Sequence, residues 1–246
     1  MTSPVSLGLL YPGHAAEDDL PWLVDAVAGG AAVADVVHTS IDGDDHTVES
    51  LLDMGRADRL EDGAAELRAR GASVAVWVCT SGSFVYGWDG ARRQVADLEA
   101  AFGAPASSTS LAFVRALEAL GARRVAIAAT YPEPVTRCFA GLLSDAGFDV
   151  ARVTSNDIPT ATEAGEAGRE EVLTLAAQGD DAGADALLVP DTALHTARWL
   201  ADLEEAAGKP VLTANQVSVW EALRLASVPA SGEGFGALFA RPAVAP

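Results

Sequence analysis

Positive charge, cysteine and long hydrophobic runs are all scarce in this chain of 246 residues. Sixteen Lys and Arg stand against 35 Asp and Glu, and the resulting net charge of −19 repels nucleic-acid phosphates and anionic lipid. Two cysteines are too few for a disulfide framework and are typical of a reducing compartment. No apolar run approaches the roughly 18 residues that cross a bilayer, and the first residues lack the basic start of a secretion signal. We expect a cytoplasmic protein that binds neither nucleic acid nor membranes.

Cofactor-binding motifs are also missing. No G-x-G-x-x-G follows the first predicted strand and no G-x-x-x-x-G-K-[ST] occurs, so we expect no nucleotide cofactor. The absence of G-x-S-x-G argues against the nucleophile of an α/β-hydrolase. His14, His38 and His46 show no metal-ligand spacing with one another or with the cysteines, and we predict no metal. The charge still permits a small anionic substrate, provided that backbone N–H groups or buried donors hold it.

The residues that are present alternate between short apolar runs and longer segments of helical period. This pattern is typical of parallel sheets covered by helices on both faces, so the predicted fold class is α/β. The predicted strands lie near Val5–Tyr11, Ala32–Val37, Val74–Val78, Arg124–Ala129, Asp149–Val153, Ala186–Val189 and Pro210–Thr213. The predicted helices lie near Leu20–Ala28, Thr47–Arg70, Ala91–Phe102, Ser108–Leu120, Pro134–Ala146, Glu163–Gln178, Thr192–Ala206 and Gln216–Ala226. Left-handed C-caps are predicted at Gly71, Gly121, Gly147 and Gly208.

Two internal echoes suggest a duplicated architecture. Leu9–Pro12 is similar to Ala128–Pro132, and Val76–Thr80 is similar to Leu187–Thr192, with chance likeness of short apolar strings as the alternative. The carboxyl ends of strands in open α/β sheets face the ligand crevice. Four residues at such ends are therefore predicted to converge on one cleft between two lobes: Pro12, Cys79, Tyr131 and Asp191.

The segment Cys79–Ser83 follows directly after an apolar strand and is rich in small and hydroxylated residues. Consecutive backbone N–H groups in such a turn can hold a carboxylate, with the hydroxyls of Thr80 and Ser81 as further donors. The same N–H groups are expected to lower the pKa of Cys79 and to favour its thiolate. The alternative is that Cys79 is a small buried hydrophobe, and core packing is the interpretation for Cys138.

Asp191 ends another apolar strand just before a predicted helix. It is either the N-cap of that helix or an acid/base group that leans into the cleft. His195 follows four residues later and is either its partner or a solvated residue on the helix face. Ser107–Ser110 is interpreted as helix capping, and the tail Ser227–Pro246 as a wrapping arm or a partly disordered end.

Taken together, four segments in order resemble the maleate isomerase and arylmalonate decarboxylase branch of the aspartate/glutamate racemase superfamily. They are Leu7–Pro12, Cys79–Ser83, Ala129–Val135, and Gly208–Val211 with Asn215–Ala226. The resemblance spans nearly the whole chain. It implies two pseudo-symmetric α/β lobes, 1–115 plus 215–246 and 116–214, with a cofactor-independent site between them.

The resemblance also implies roles for individual residues. Cys79 and Asp191 match the two catalytic positions that flank the substrate. Maleate isomerases have cysteine at both positions, and arylmalonate decarboxylases have glycine and then cysteine, so this chain matches neither pattern. The implied carboxylate pocket consists of Thr80, Ser81, the Tyr131 hydroxyl and the backbone near Thr192. The implied N-terminal substrate loop includes Pro12 and His14, with Ala15 where maleate isomerases usually have asparagine.

The function implied is a cofactor-independent isomerase or racemase-like enzyme that acts on a small carboxylic or dicarboxylic acid, similar to maleate cis-trans isomerase. Cys79 would add to, or deprotonate, the carbon next to the carboxylate, while Asp191 would transfer a proton on the other face. Two alternatives remain open. One is a decarboxylase of a malonate-type diacid, and the other is a carboxylate-binding protein without catalysis. A homo-oligomer is possible.

Overall fold

The structure is a computed structural model that describes residues 3–240. Within these residues, parallel strands form two four-stranded sheets, of order β2-β1-β3-β4 and β6-β5-β7-β8. The strands are β1 (Val5–Pro12), β2 (Ala32–Thr39), β3 (Val74–Trp77), β4 (Ala106–Ser108), β5 (Arg124–Ala129), β6 (Asp149–Ser155), β7 (Ala186–Val189) and β8 (Val211–Thr213). The identical order in the two halves confirms the predicted α/β class and its two similar lobes.

Helices connect the strands and cover the sheets. They are α1 (Asp19–Ala28), α2 (Val48–Met54), α3 (Ala57–Arg70), α4 (Ser81–Phe84), α5 (Gly87–Phe102), α6 (Thr109–Leu120), α7 (Glu133–Asp145), α8 (Ala161–Gly165), α9 (Arg169–Gly179), α10 (Leu200–Ala207) and α11 (Ala214–Leu225), with a 3₁₀ turn at Ala197–Trp199. Gly71 and Gly121 end α3 and α6 at φ of 81° and 72°, which confirms two of the predicted left-handed caps. No helix in residues 3–240 is both long and apolar enough to span a membrane.

The predicted helix over 47–70 is interrupted at Gly55. A Cβ at Gly55 would lie 2.0 Å from the carbonyl oxygen of Gly82, so the end of α2 lies directly against the turn that follows β3. This close approach joins residues 27 positions apart in the sequence. The periodicity of the local segment therefore gives no sign of the break.

Two further helix predictions were wrong in extent. The helix predicted over 163–178 is interrupted between α8 and α9. The helix predicted from Thr192 begins only at Leu200, after the 3₁₀ turn. The carboxylate of Asp19 in the other lobe accepts hydrogen bonds from the N–H groups of Thr196 and Ala197, which holds the preceding segment as a loop. Strand β4 was not predicted because its serines are polar, although they are buried. Ser108 caps α6 as expected, since its hydroxyl accepts a hydrogen bond from the N–H of Leu111.

The hydrophobic core joins the two sheets. Val125, Ile127 and Ala129 of β5 belong to one continuous core with the first sheet, whereas Ala126 and Ala128, on the opposite face, belong to a separate core. This alternation follows from the two-residue period of a strand. Helix α11 returns from the second sheet to pack on α1, α6 and β3. The numerical boundaries of the lobes stay predictions.

The predicted C-terminal arm packs onto the body of the protein as far as it is described. Val228 and Phe239 are buried, Gln216 Nε2 donates to the carbonyl of Phe235 at 2.9 Å, and Ala237 N donates to Glu204 at 2.8 Å. Residues 241–246 of the arm lie outside the described residues.

Candidate active site

A cavity of about 380 Å³ lies where the carboxyl ends of strands from both sheets meet. The turns after β1, β2, β3 and β7 line it, together with the start of α8. Among the residues singled out from the sequence, the cavity is lined by Pro12, His14, Cys79, Ser81, Asp191 and Thr192. Thr80 and Tyr131 are fully buried next to this lining. The fold thus brings the predicted set together around one cavity.

Cys79 reaches the cavity because β3, all four residues of which are buried, ends just before it and the chain turns at once into α4. The backbone N–H of Gly82 donates to Cys79 Sγ at 3.2 Å. Met54 Sδ lies 3.7 Å from the sulfur, and Ser81 Oγ lies 3.8 Å from it. A Cβ at Gly82 would lie only 3.0 Å from Sγ, so glycine permits this close contact.

The expectation that the turn favours a thiolate was wrong. Burial raises the pKa of Cys79 from 9.0 to about 11, and the N–H of Gly82 and the hydroxyl of Ser81 offset only part of this rise. The negative charge of Asp191 raises the same pKa further. Cys79 therefore carries its proton at neutral pH.

Asp191 enters the cavity from the second sheet, just after the fully buried strand β7. Its Oδ1 accepts from the N–H of Ala193 at 2.9 Å, and its Oδ2 accepts from the hydroxyl of Thr130 at the end of β5. The carboxylate therefore caps a turn rather than a helix. His195 is not its partner, because His195 Nε2 lies 2.8 Å from Asp18.

A group of hydroxyls lies behind the cavity. Tyr131 donates to the carbonyl of Pro190 at 2.9 Å, and burial raises its pKa well above 10, so it stays protonated. Ser81 and Thr80 lie close enough to lower that pKa in part. Thr80 Oγ1 is buried and has no hydrogen-bond partner among the described residues. A buried hydroxyl left without a partner is costly, and an oxygen atom of a ligand would satisfy it.

Two residues of the site were missed in the sequence. Tyr11 donates to the carbonyl of Thr192 at 2.9 Å and accepts from Ala16 N at 3.0 Å, which ties the first lobe to the second. His46 lines the cavity, and its Nδ1 lies 2.8 Å from the carbonyl oxygen of Ile158; its ring packs edge-on against Tyr131. The echo of Tyr11 with Tyr131 was a usable signal, whereas no local pattern marks His46.

The loop that carries His46 is hydrogen-bonded to the second lobe. The N–H of His46 donates to Pro159 O at 2.7 Å, and Asp45 pairs with Thr160 in an antiparallel bridge. The backbone N–H and the hydroxyl of Thr162 donate to the carboxylate of Asp44, at 2.9 and 2.6 Å. Residues 41–46 and 161–162 thereby form one wall of the cavity.

The cavity is acidic in its charged side chains. Asp42, Asp44 and Asp191 line it, and no Lys or Arg within residues 3–240 does so. An anion bound here must be held by hydroxyls, backbone N–H groups or histidine.

The family follows from comparison of the whole chain with known sequences. The sequence profile of arylmalonate decarboxylase matches residues 52–239. The chain belongs to the arylmalonate decarboxylase family.

Relatives of this family member include both enzymes of the predicted branch, which confirms the resemblance. Arylmalonate decarboxylase from Bordetella bronchiseptica is 26% identical over 239 residues, which cover 96% of this chain and 90% of the relative. Maleate isomerase from Pseudomonas putida is 26% identical over 136 residues, which cover 55% of this chain and 54% of the relative.

Solved structures share the fold of this family member. A maleate isomerase from Pseudomonas putida superposes with a TM-score of 0.88 at 20% identity, covering 96% of this chain and 98% of the other. An arylmalonate decarboxylase variant in liganded form, with one glycine changed to cysteine and one cysteine to serine, gives 0.84 at 24% identity, covering 96% and 99%. A Nocardia farcinica maleate cis-trans isomerase variant with a covalently bound succinylcysteine intermediate gives 0.87 at 22% identity, covering 96% and 98%.

Proposed function

We propose that this protein is a cofactor-independent isomerase that moves a proton at the carbon next to the carboxylate of a small carboxylic or dicarboxylic acid. One observation carries the proposal. Cys79 and Asp191 follow the equivalent strands β3 and β7 of the two sheets, and both line the same cavity. A thiol that holds its proton and a carboxylate that can accept one are thus supplied from opposite lobes.

The substrate carboxylate would lie against Ser81, Thr80 and Tyr131. The unpartnered hydroxyl of Thr80 and the hydroxyl of Ser81 offer donors without a positive side chain, whereas the Tyr131 hydroxyl already donates its proton to the carbonyl of Pro190. Such donors stabilise the enediolate that forms when the adjacent carbon loses its proton. One donor of this kind contributes about 2.7–4 kcal/mol in an oxyanion site.

Each proton that moves in this reaction has a donor and an acceptor among the residues of the site. Asp191 takes the proton from one face of the carbon, and the electron pair of that C–H bond passes into the enediolate. The thiol of Cys79 then gives its proton to the opposite face, which inverts the centre and leaves Cys79 as thiolate and Asp191 protonated. Turnover in the reverse direction, or exchange with solvent, restores the starting forms. Each oxygen of Asp191 accepts one hydrogen bond, and a carboxylate has about four acceptor sites, so capacity remains for the proton.

Proton transfer fits Cys79 better than covalent addition to a double bond. Addition needs a thiolate, and a pKa of about 11 leaves about 0.01% thiolate at pH 7. The succinylcysteine intermediate belongs to the Nocardia farcinica relative. No Lys or Arg of the described chain lines this cavity to favour the thiolate here.

Decarboxylation of a malonate-type diacid is the second candidate. The relative that matches 96% of this chain is named arylmalonate decarboxylase, and a protonated thiol is the group that this reaction needs. The C–C bond to one carboxylate would break, CO2 would leave, and its bonding electrons would form the enediolate. Cys79 would then protonate that carbon. This reaction needs no base, so Asp191 would be dispensable for proton removal.

Proton NMR in D2O tests the two candidates with amino-dicarboxylates and substituted malonates, and conversion of maleate to fumarate would instead indicate covalent addition of Cys79. Isomerisation predicts deuterium at a stereocentre, lost in both Cys79→Ala and Asp191→Asn. Decarboxylation predicts loss of a carboxylate, abolished by Cys79→Ala but retained in Asp191→Asn. The matched control is Cys138→Ala, which removes the other thiol without changing a residue that lines the cavity. Turnover that is unchanged in Cys79→Ala contradicts both candidates, and saturable binding without turnover selects the carboxylate-binding alternative.

A further inference from the structure

Two histidines and a glutamate meet at the mouth of the cavity. His14 Nδ1 lies 2.7 Å from Glu17 Oε1, and His38 Nε2 lies 3.4 Å from the same oxygen. The two imidazole rings are stacked with 4.1 Å between their centroids. One ligand atom from each of the three residues lies within 4.8 Å of the other two.

The sheet order produces this meeting. Strands β1 and β2 are parallel neighbours, and Tyr11 at the end of β1 pairs with His38 at the end of β2. The turn after β1 therefore carries His14 and Glu17 past the side chain of His38. The distances along the sequence give no sign of this, because the proximity depends on which strands are neighbours.

Glu17 is already oriented toward the two rings. Its Oε2 accepts from the backbone N–H of Ala15 at 2.8 Å, and this contact leaves Oε1 facing His14 and His38. Outer contacts of this kind fix the direction of a metal-ligating carboxylate. Because His14 is 75% exposed, its ring is free to adjust its distance from Glu17.

From this geometry we propose that His14, Glu17 and His38 bind a divalent transition-metal ion of the zinc class. Two imidazoles and one carboxylate form a ligand set that holds zinc and leaves an open position. Metal–ligand bonds of about 2.0–2.1 Å in tetrahedral geometry separate the ligand atoms by about 3.3 Å. The 3.4 Å between His38 and Glu17 already meets that requirement, the 2.7 Å between His14 and Glu17 would lengthen by about 0.6 Å, and the ligand atoms of His14 and His38 lie within 4.8 Å of each other.

The ion would face the cavity, because His14 lines it. It would add positive charge to a lining whose charged side chains are acidic, and its open position would accept an oxygen ligand. With the proposed function, in which Cys79 and Asp191 alone move the proton, the ion would only attract the carboxylate of a diacid that is remote from the reacting carbon. This last point rests on the proposed function, whereas metal binding itself does not.

Titration of untagged, EDTA-treated protein with Zn2+ by calorimetry, and with Co2+ by visible absorption, tests the proposal without any substrate. We expect one ion per chain and a ligand-field spectrum of Co2+ that reports nitrogen and oxygen ligands. Affinity should fall by about tenfold or more in His38→Ala and in Glu17→Gln. His195→Ala is the matched control, since His195 also pairs with an acidic residue, Asp18, outside the cluster.

Binding of equal strength in the parent, in His38→Ala and in Glu17→Gln would overturn the proposal, as would no binding in the parent. The substituted side chains of His38 and Glu17 are 38% and 23% exposed, so neither is part of the closed core, and thermal unfolding of each variant checks that it folds. Failure of the NMR experiment leaves the titration unaffected. The two proposals are therefore tested separately.

Discussion

The protonation state of Cys79 gives the most direct test of the chemistry. Burial raises its pKa from 9.0 to about 11, a change that corresponds to about 2.7 kcal/mol in favour of the thiol. At pH 8 this pKa leaves about 0.1% thiolate, against about 9% for an ordinary cysteine with a pKa of 9.0. Since the thiolate is the reactive form, the rate of alkylation at pH 8 should be about a hundredfold lower from this cause alone.

Alkylation by iodoacetamide as a function of pH, measured in Cys138→Ser protein, reports Cys79 alone. We expect the rate to rise about tenfold per pH unit and to level off only near pH 11. The position of the plateau is the decisive quantity, because limited access lowers the rate at every pH. Asp191→Asn should move the plateau to lower pH, since burial would remain but the negative charge near Cys79 would be gone. A plateau below pH 9 would refute the reasoning, for it would mean that the N–H of Gly82 outweighs burial.

Three further substitutions test contacts that stabilise the fold around the site. Gln94→Ala removes the amide that donates to the carbonyls of Gly55 and Gly82, at 2.8 and 2.9 Å, and should lower stability by about 1–2 kcal/mol together with turnover. Phe139→Ala empties an aromatic cluster and should cost about 3–5 kcal/mol in urea unfolding, with a loss below 1 kcal/mol contradicting tight packing. Glu221→Gln removes the buried carboxylate that pairs with Arg115 and Arg224 and should lower stability by about 1.5–3 kcal/mol in the same assay, whereas an unchanged midpoint would refute the pairing.

Most strands of the sheets were predictable because each is an apolar run that is visible in its own segment of the sequence. Strands β3 and β7 are continuous apolar runs buried on both faces, and Gly71, which caps the helix before β3, marks the return of the chain. Strand β4 escaped prediction because Ser107 and Ser108 are polar, and only pairing with β3 explains their burial. The interruption of the predicted helix at Gly55 was not predicted either, because it results from contact with the distant turn at Gly82.

The candidate site was also predictable only in part, because some of its features follow from local sequence and others from the packing of distant segments. Cys79 and Asp191 were identifiable because each follows an apolar strand, and parallel strands present such ends at one edge. The protonated state of the Cys79 thiol was not identifiable, since burial depends on how the two lobes pack. The contact of His14 with His38 was also hidden, because it depends on the neighbour order of β1 and β2.

The shared core has a consequence for how the molecule holds its substrate. The inner residues of β5 complete the same core as the first sheet, so the halves cannot separate without exposing Val125 and Ile127 to water. The same core therefore makes folding cooperative and keeps Cys79 aligned with Asp191. A ligand that bridges the two residues would raise the melting temperature of the entire chain, and a fragment that contains either half alone would be both unstable and inert.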